Sequence, residues 1–577
     1  MKALKVILVV FAALVILVTA GVLVFLKTFN VNSYLPQITQ QVSKAVGRDL
    51  KVGGAELGVS LANGIRLEVK DISLADDPRF SDKPFFAVSR IEIGVNPGAL
   101  FFERKVQMTG IVIDSPRIVM IRAKDGTINV QTMGAQVPAK GPDNQAAAIP
   151  ALLVNDIKIV NGSFTYIDQG STPALALTLA RIDVHVSDLS LVSPFQVSLK
   201  ASLFSAQQNV TLDARVDPDL LKQAVRIKDL NIGVDLALID AAKLEDQLPM
   251  LKPLALKKTA GLFKIDVPEA EAGAKGLATL KAQASLEKGL LLVGLVPVPA
   301  ENITLNADIS EKQVSIKTLT ATVADGVIRG NALIVDYLSL PVVTGSVSTE
   351  GVNINKIAVA FSSPLGAKGI LSGDGNVRFS GTTPEAIVSS LSGETKADIK
   401  DAVIENMNFL SASLGKIPML PGLLDSIMPD LSQATQDDIR QGSTHFQTVH
   451  AQGHLVKGGF QLDAADATTQ DLAVHAQGAF DFVSGFDIKV DVRLTPDLSG
   501  RLALRVKALA GLKDEEGRIY IPLNVKGPVA KPKVIPDIEY LAKKMIVAQG
   551  GEQLQQILGS PDASQAVNAI FDLFKKK

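Results

Sequence analysis

Asp487-Ile-Lys-Val-Asp-Val-Arg-Leu494 alternates charged and apolar residues without a break. In an extended strand successive side chains point to opposite faces, so this octapeptide makes a strand with one charged and one aliphatic face. Gly64-Ile-Arg-Leu-Glu-Val-Lys70 repeats the pattern, then slips phase at Asp71-Ile72, which predicts a bulge. Asn302-Ile-Thr-Leu-Asn-Ala-Asp-Ile309 and Gly375-Asn-Val-Arg-Phe-Ser380 carry it again. About twenty such strands can be read along the chain. Turn formers such as Ala324-Asp325-Gly326 separate them. The expected fold class is mainly β, an antiparallel sheet that is polar on one face and apolar on the other.

A few stretches break the period. Val6 to Leu26 is apolar throughout except for Thr19 and Gly21. As a helix it would span about 31 Å, enough to cross a bilayer core. Lys2 and Lys5 precede it and place the N-terminus in the cytoplasm by the positive-inside rule. Val18-Thr19-Ala20 has the small residues of a signal cleavage site, but the apolar run continues past Ala20 to Leu26. An uncleaved single-pass anchor is therefore expected, with the bulk of the chain outside. A short helix follows over Val31 to Val46, closed by Gly47. Gly134 to Pro150 is rich in Pro, Gly and Ala and reads as a linker. Asp235 to Lys258 and Asn406 to Arg440 carry short helical patterns, with Pro418, Pro421 and Pro429 limiting the second. From Ile538 the chain reads as an amphipathic helix, with Ala566, Val567, Ile570, Phe571 and Phe574 on one side. The expected division is an anchor (1–30), an N-terminal β region (31–133), the linker (134–150), a central β region (151–405), a helical insertion (406–440), a C-terminal β region (441–537) and the amphipathic end (538–577).

Composition narrows the function. Among 577 residues, 58 Lys and Arg balance 59 Asp and Glu, for a net charge of −1. Nucleic acid is not expected as a partner, because phosphate binding needs a basic surplus. Hydrophobic residues reach 47%, yet aromatics are 5% and Trp is absent, so the apolar mass is aliphatic. Mean hydropathy is +0.26. The anchor supplies roughly half of that excess. The strands carry the rest. The absence of Cys excludes disulfides, thiolate metal sites and Cys nucleophiles.

No reactive constellation is legible, and neither an enzyme activity nor a cofactor is expected. His450 and His454 have the spacing of a helical metal pair, but their surroundings read as strand and turn. They and His185 are expected on the polar face of strands. Leu414-Gly415-Lys416 lacks the upstream Gly of a phosphate loop, and no nucleophile elbow is present. Asp514-Glu515-Glu516 reads as a solvated turn.

Several blocks, in order after the N-terminal run, resemble the AsmA family of bacterial envelope proteins. They are Gly47-Arg48-Asp49-Leu50, the stretch Asn63 to Phe80 with its Ala75-Asp-Asp-Pro-Arg-Phe80, and Phe85 to Val95. Next comes Ile111 to Asn129, with Pro116 and the Asp125-Gly126 turn. Near the end, Ile521-Pro-Leu-Asn-Val-Lys-Gly527 followed by Pro532 and Pro536-Asp537 is similar to the family's closing strand. The chain departs from many members in lacking Trp after the hairpin glycine. The resemblance implies an inner-membrane anchor and a long periplasmic sheet that curls into an apolar groove. It also implies transfer of phospholipid between inner and outer membranes, in support of outer-membrane assembly, and a likeness in shape to chorein and translocation-assembly-module proteins.

The residues point the same way on their own account. A sheet with one apolar face must cover it with a second sheet, with helices, or with a ligand. An aliphatic face without polar anchors suits acyl chains, each buried methylene contributing about 0.8 kcal/mol. The expected lining is Ile65, Leu67, Val69, Ile303, Leu305, Val377, Phe379, Ile488, Val490, Val492 and Leu494. Ile570, Phe571 and Phe574 are expected to cap the groove or to touch a membrane. Expected partners are phospholipids, the inner membrane, and the outer membrane or an assembly partner there. The rival reading is an anchored scaffold for outer-membrane protein assembly, with a sealed core and no lipid.

Overall fold

A computed structural model describes residues 30–545, apart from 61–63, 97, 100–107, 134–152, 172–173, 191–192, 220–223, 274–275, 295, 338, 363–365, 415–421, 482–484, 529–531 and 542. The expected anchor, the linker and the apolar residues Ile570, Phe571 and Phe574 lie outside the described residues. Among the described residues no helix is long and apolar enough to cross a membrane. The chain divides into two compact units, the first running to Leu295 with Asp308–Glu311, the second taking the rest from Val296 onward.

The first unit opens with helix α1 (Leu35–Val46), closed by Gly47 at φ 71°, and continues almost entirely as strands. These are β1 (Leu50–Ser60), β2 (Gly64–Leu74), β3 (Phe86–Val95), β4 (Met108–Asp114), β5 (Arg117–Arg122), β6 (Leu153–Asp168), β7 (Leu175–Ser190), β8 (Phe195–Leu203), β9 (Val210–Asp219) and β10 (Ala224–Asp235). Helix α2 (Ala241–Gln247), with Asp240 capping its first amides, precedes β11 (Leu256–Gly273) and β12 (Gly276–Val293). Neighbours in sequence pair as antiparallel neighbours in the sheet, from β1 to β4 and again from β6 to β12.

One pairing departs from the expected antiparallel order. Strand β6 runs parallel to β4 and then to β5. Residues 108–122 are in effect one strand broken at Ser115-Pro116, where Ser115 takes φ 54°. Strand β6 bends with the break at Asn161, φ 53°. The bond of Ser163 N–H to the Pro116 carbonyl (2.7 Å) holds the two kinks together. About 30 residues separate β5 from β6, long enough for the crossover a parallel pair needs. The predicted slip at Asp71 is present as well. Asp71 sits at φ 52°, and a Cβ on the facing Gly53 would lie 2.8 Å from Asp71 Cβ.

The N-terminal ladder is fastened by a buried polar clasp. Arg48 follows the C-cap glycine, and its Nη1 donates to Asp76 Oδ1 at 3.1 Å. Nη2 donates to the Asn129 carbonyl at 3.2 Å and to Thr132 Oγ1. Asn129 Nδ2 donates to Asp76 Oδ2 at 2.7 Å, and Asn129 Oδ1 accepts from the Ile121 amide at 3.1 Å. The Arg48 and Asp76 side chains are 5% and 1% exposed. Burial pushes the Asp76 carboxyl above its ordinary value, while the Asn129 hydrogen bond and the Arg48 charge pull it down. The Asn129 amide and the Arg48 guanidinium together offset part of the effect of burial.

The second unit holds β13 (Ala300–Ser310, whose last residues belong to the first unit), β14 (Gln313–Val323), β15 (Gly326–Val335), β16 (Val342–Asn353), helix α3 (Ile354–Ala360) and β17 (Ala367–Ser380). Helix α4 (Pro384–Ser390), β18 (Gly393–Ile404) and helices α5 (Phe409–Leu414), α6 (Leu423–Ile427) and α7 (Gln433–Gln441) follow. Then come β19 (Thr444–Val456), β20 (Gly459–Thr468), β21 (Leu472–Asp481), β22 (Gly485–Leu494), α8 (Pro496–Arg505), β23 (Tyr520–Gly527) and β24 (Lys533–Pro536). From β14 to β24 each strand pairs antiparallel with the next. Ala324 and Asp325, at φ 47° and 70°, form the expected hairpin turn with both central residues left-handed.

Arg48→Ala should destabilise the first unit by about 3–5 kcal/mol, because it strands a buried carboxylate. Chemical denaturation checks this. A loss below about 1 kcal/mol would mean that the clasp is ornamental.

Candidate functional site

Directly paired residues in a ladder share a face, so the registers trace each face across a unit. In the first unit one row runs Ala55, Val69, Ile91, Ile113, Ile159 and Val184 through β1, β2, β3, β4, β6 and β7. It continues through Leu199, Leu212, Ile232, Ile265 and Ala284 to β12. A second row, Leu57, Leu67, Ile93, Ile111, Ile157, Val186 and Val197, lies beside it. Every member of both rows is aliphatic. Bulges reset the phase at Asp71, Asn161 and Asp229, so the rows stay in register although the sequence pattern slips.

Most of these residues are half-buried rather than buried. Half-burial is what a sheet residue shows when its strand neighbours shield its flanks and its face is not sealed into a core. Among the described residues the only buried cluster assigned to this unit is small, Val267, Ala270 and Ala282 near one end of β11 and β12. Of the expected lining residues, Leu67 and Val69 lie on the two rows, and Ile65 is buried beside them, paired with Val59 and Val95.

The second unit has an apolar face of its own, with two fates. Val343 pairs with Phe379 and Gly345 with Val377, all half-buried. Ile303 and Leu305 on β13 are half-buried between exposed Asn302, Thr304 and Asn306. Further along, the row Ala397, Ala451, Ala465, Ala476, Val490 and Leu523 leads under a cap of helices. There Leu410, Leu414 and Ile427 from the helical insertion, and Leu498, Leu502, Leu509 and Leu512 after β22, are at most 1% exposed. Val490, Val492 and Leu494 are 3%, 0% and 0% exposed, and Ile488 packs at the margin of the same core. These C-terminal positions of the expected track are closed off by helices. The strand pattern is identical in both places. What differs is the apolar content of residues 406–440 and 496–512, which supplies the cover.

The opposite face is polar and wet. Four of the five His pair with an Asp on a neighbouring strand: His185 Nε2 with Asp156 at 2.5 Å, His454 Nδ1 with Asp463 at 3.1 Å, His475 Nδ1 with Asp466 at 2.7 Å, and His450 with Asp398. His450 and His454 thus lie on one strand, β19, and bind separate carboxylates. Among the described residues no group of three or more His, Asp or Glu stands where it could hold a metal ion. A hollow of about 720 Å³ on this face of the second unit mixes Arg329, Lys396 and His454 with Asp374, Glu394 and Asp463. Charges of both signs line it, so it presents no patch of one sign. Tyr520 donates to Asp491 Oδ1 at 2.9 Å, and burial together with that bond pushes its phenol well above the ordinary value.

The model of the AsmA family matches residues 1–337. That is more than half of the chain. The chain belongs to the AsmA family. The matched span holds the clasp and both aliphatic rows of the first unit. The helical cap and the block Ile521–Gly527 lie beyond it. Three blocks that carry the AsmA resemblance meet in the clasp, through Arg48, Asp76 and Asn129. No curated protein matches the chain.

The two fates of the face predict opposite outcomes for one substitution. Val492→Asp puts an unpaired charge into a dry core and should cost at least about 4 kcal/mol, losing the cooperative unfolding of the second unit. Val377→Asp, on the uncovered part, should cost about 1 kcal/mol or less. Denaturant titrations of the two variants check this.

Proposed function

We propose that this AsmA-family protein is an inner-membrane-anchored, periplasmic lipid conduit. Its apolar face forms a groove along which phospholipid acyl chains pass between inner and outer membranes, supporting outer-membrane assembly and homeostasis. The observation that carries the reading is the pair of continuous aliphatic rows in the first unit, most of whose members are only half-buried. A soluble sheet leaves such a face bare only where something apolar covers it. The rows offer Val, Ile, Leu and Ala in unbroken succession, with no hydrogen-bond donor to fix one head group, so the ligand they fit is hydrocarbon of any length. At about 0.8 kcal/mol per methylene, a chain lying along a row is held without polar chemistry and can slide, because each step exchanges like for like.

The outer face supports the same reading. Its cross-strand pairs, such as Asn331 with Ser346 at 2.8 Å and Arg329 with Glu350 at 2.9 Å, keep that side in water. No chemistry is asked of any side chain, so the proposal is a non-enzymatic one and needs no cofactor. Of the expected lining, Leu67 and Val69 belong to the rows of the first unit with Ile65 beside them, and Ile303, Leu305, Val377 and Phe379 lie on the apolar face of the second. Val490, Val492 and Leu494 belong instead to the helix-capped core of the second unit.

A photo-crosslinking residue decides between conduit and sealed scaffold. In the full chain in cells, substitution at Leu212 on the row should capture phospholipid, and substitution at Asp213 on the opposite face should not. The double variant Leu199→Asp, Leu212→Asp should keep its unfolding midpoint near that of the parent and lose the lipid adduct at a third row position, Ile265. Equal capture from both faces, or none from either, overturns the conduit.

A further inference from the structure

Helix α1 spends only half of its apolar surface on the protein. At 3.6 residues per turn, Ala45, Ile38, Val42, Leu35 and Val46 fall within one arc of about 100°. The helix packs along β1. The half-buried Leu35 and Val46 share its inner side with Thr39 and Ser43, and Ser43 Oγ accepts the Leu50 amide at 2.9 Å. The rest of the arc faces out. Ile38 is 49% exposed and Val42 37%, and Ala45 is exposed beside them. Gln37, Gln40, Gln41 and Lys44 make up the remaining, polar side.

The orientation of that stripe is fixed. Ahead of the helix, Asn32 binds the β1 edge as another strand would. Its Nδ2 donates to the Ala55 carbonyl at 3.0 Å, and its Oδ1 accepts the Ala55 amide at 2.8 Å. Behind the helix, Gly47 leads straight into the Arg48 clasp. The helix is thus pinned to β1 at one end and to the clasp at the other. Strand β1 is where both aliphatic rows begin, at Ala55 and Leu57.

Two features of the sequence say what meets the exposed stripe. Leu35 lies nine positions after Leu26, the end of the apolar run, a reach of at most about 30 Å. From Met1 to Arg48 the chain carries five Lys and Arg and no Asp or Glu, although it holds 59 acidic residues in all. An acid-free segment held close to a bilayer suits the negative surface of anionic phospholipid. Three aliphatic side chains bind a free vesicle weakly, but the tether supplies the local concentration. We infer that α1 lies in the headgroup layer of the bilayer, with Ile38, Val42 and Ala45 turned into it and Gln37, Gln40 and Gln41 on the water side. The contact seats β1 at the membrane, so both rows start at a lipid surface. This rests on the reading of Val6 to Leu26 as an anchor and not on the passage of lipid along the rows.

The chain has no Trp, so a single introduced Trp reports alone. The test uses the full-length protein in vesicles of phosphatidylethanolamine and phosphatidylglycerol, with part of the lipid brominated high in its acyl chains. I38W and V42W should be quenched at least about three-fold more strongly than Q40W, because the apolar side of an interfacial helix sinks about 5–10 Å into the headgroup–acyl boundary. Equal quenching of the three, or none at I38W and V42W, overturns the contact. So does a blue-shifted but unquenched I38W, which assigns the stripe to a protein partner or a second copy. Protein that floats with the vesicles without quenching at I38W keeps the anchor and loses the contact, whereas protein that does not float removes both. Quenching of I38W with none of L199W keeps the contact and removes lipid from the rows, and the converse result keeps the rows and removes the contact.

Discussion

A sheet built from strands that alternate charge and hydrocarbon has one face that water rejects, and the rest of this protein follows from how that face is covered. At one end of the second unit it is covered by protein. Leucines from the helical insertion and from the stretch after β22 bury Val490, Val492 and Leu494 completely, and each fully buried side chain of this kind contributes about 2 kcal/mol. In the first unit the equivalent residues stand half-buried in two unbroken rows. Nothing in the strand sequence distinguishes the two cases. The distinction lies in whether the intervening segments bring enough apolar surface to make a lid.

The clasp shows a different use of burial. Arg48, Asp76 and Asn129 come from three separate stretches, and their buried hydrogen bonds fasten the end of α1 and the turn after β5 to each other. All three lie within the span that the family model matches. A buried guanidinium with a forked set of acceptors tolerates neither shortening nor Lys, so sequence resemblance at these positions reports fold rather than transport.

Much of the sheet was legible from the period-2 pattern alone. Asp487 to Leu494 is a strand, the bulge at Asp71 and the turn at Asp325 stand where the pattern slips or stops, and the helix over Leu35–Val46 ends at Gly47. The parallel pairing of β6 was not legible, because periodicity fixes which way a side chain points and not which way the neighbouring strand runs. The continuity of the rows was hidden too. Arg226-Ile-Lys-Asp-Leu230 reads as a faulty strand until Asp229, at φ 52°, is seen to absorb the extra residue and return Ile232 to the row. Clean alternation singled out Val490 and Val492 as track, yet clean alternation is equally the mark of a packed core. The helices that decide between the two are separated from the strands they cover by turns of sequence that carry no period.

The central claim is that apolar strand faces of one sequence pattern are open to hydrocarbon in some places and sealed by protein in another. Because the chain contains no Trp, a single introduced Trp is an unambiguous reporter. Full-length protein carrying L199W, V377W or V492W, loaded with phospholipid brominated in its acyl chains, separates the two environments by fluorescence quenching. The account predicts strong quenching at Leu199 and Val377 and none at Val492. Equal quenching at all three positions, or quenching at none, would contradict it.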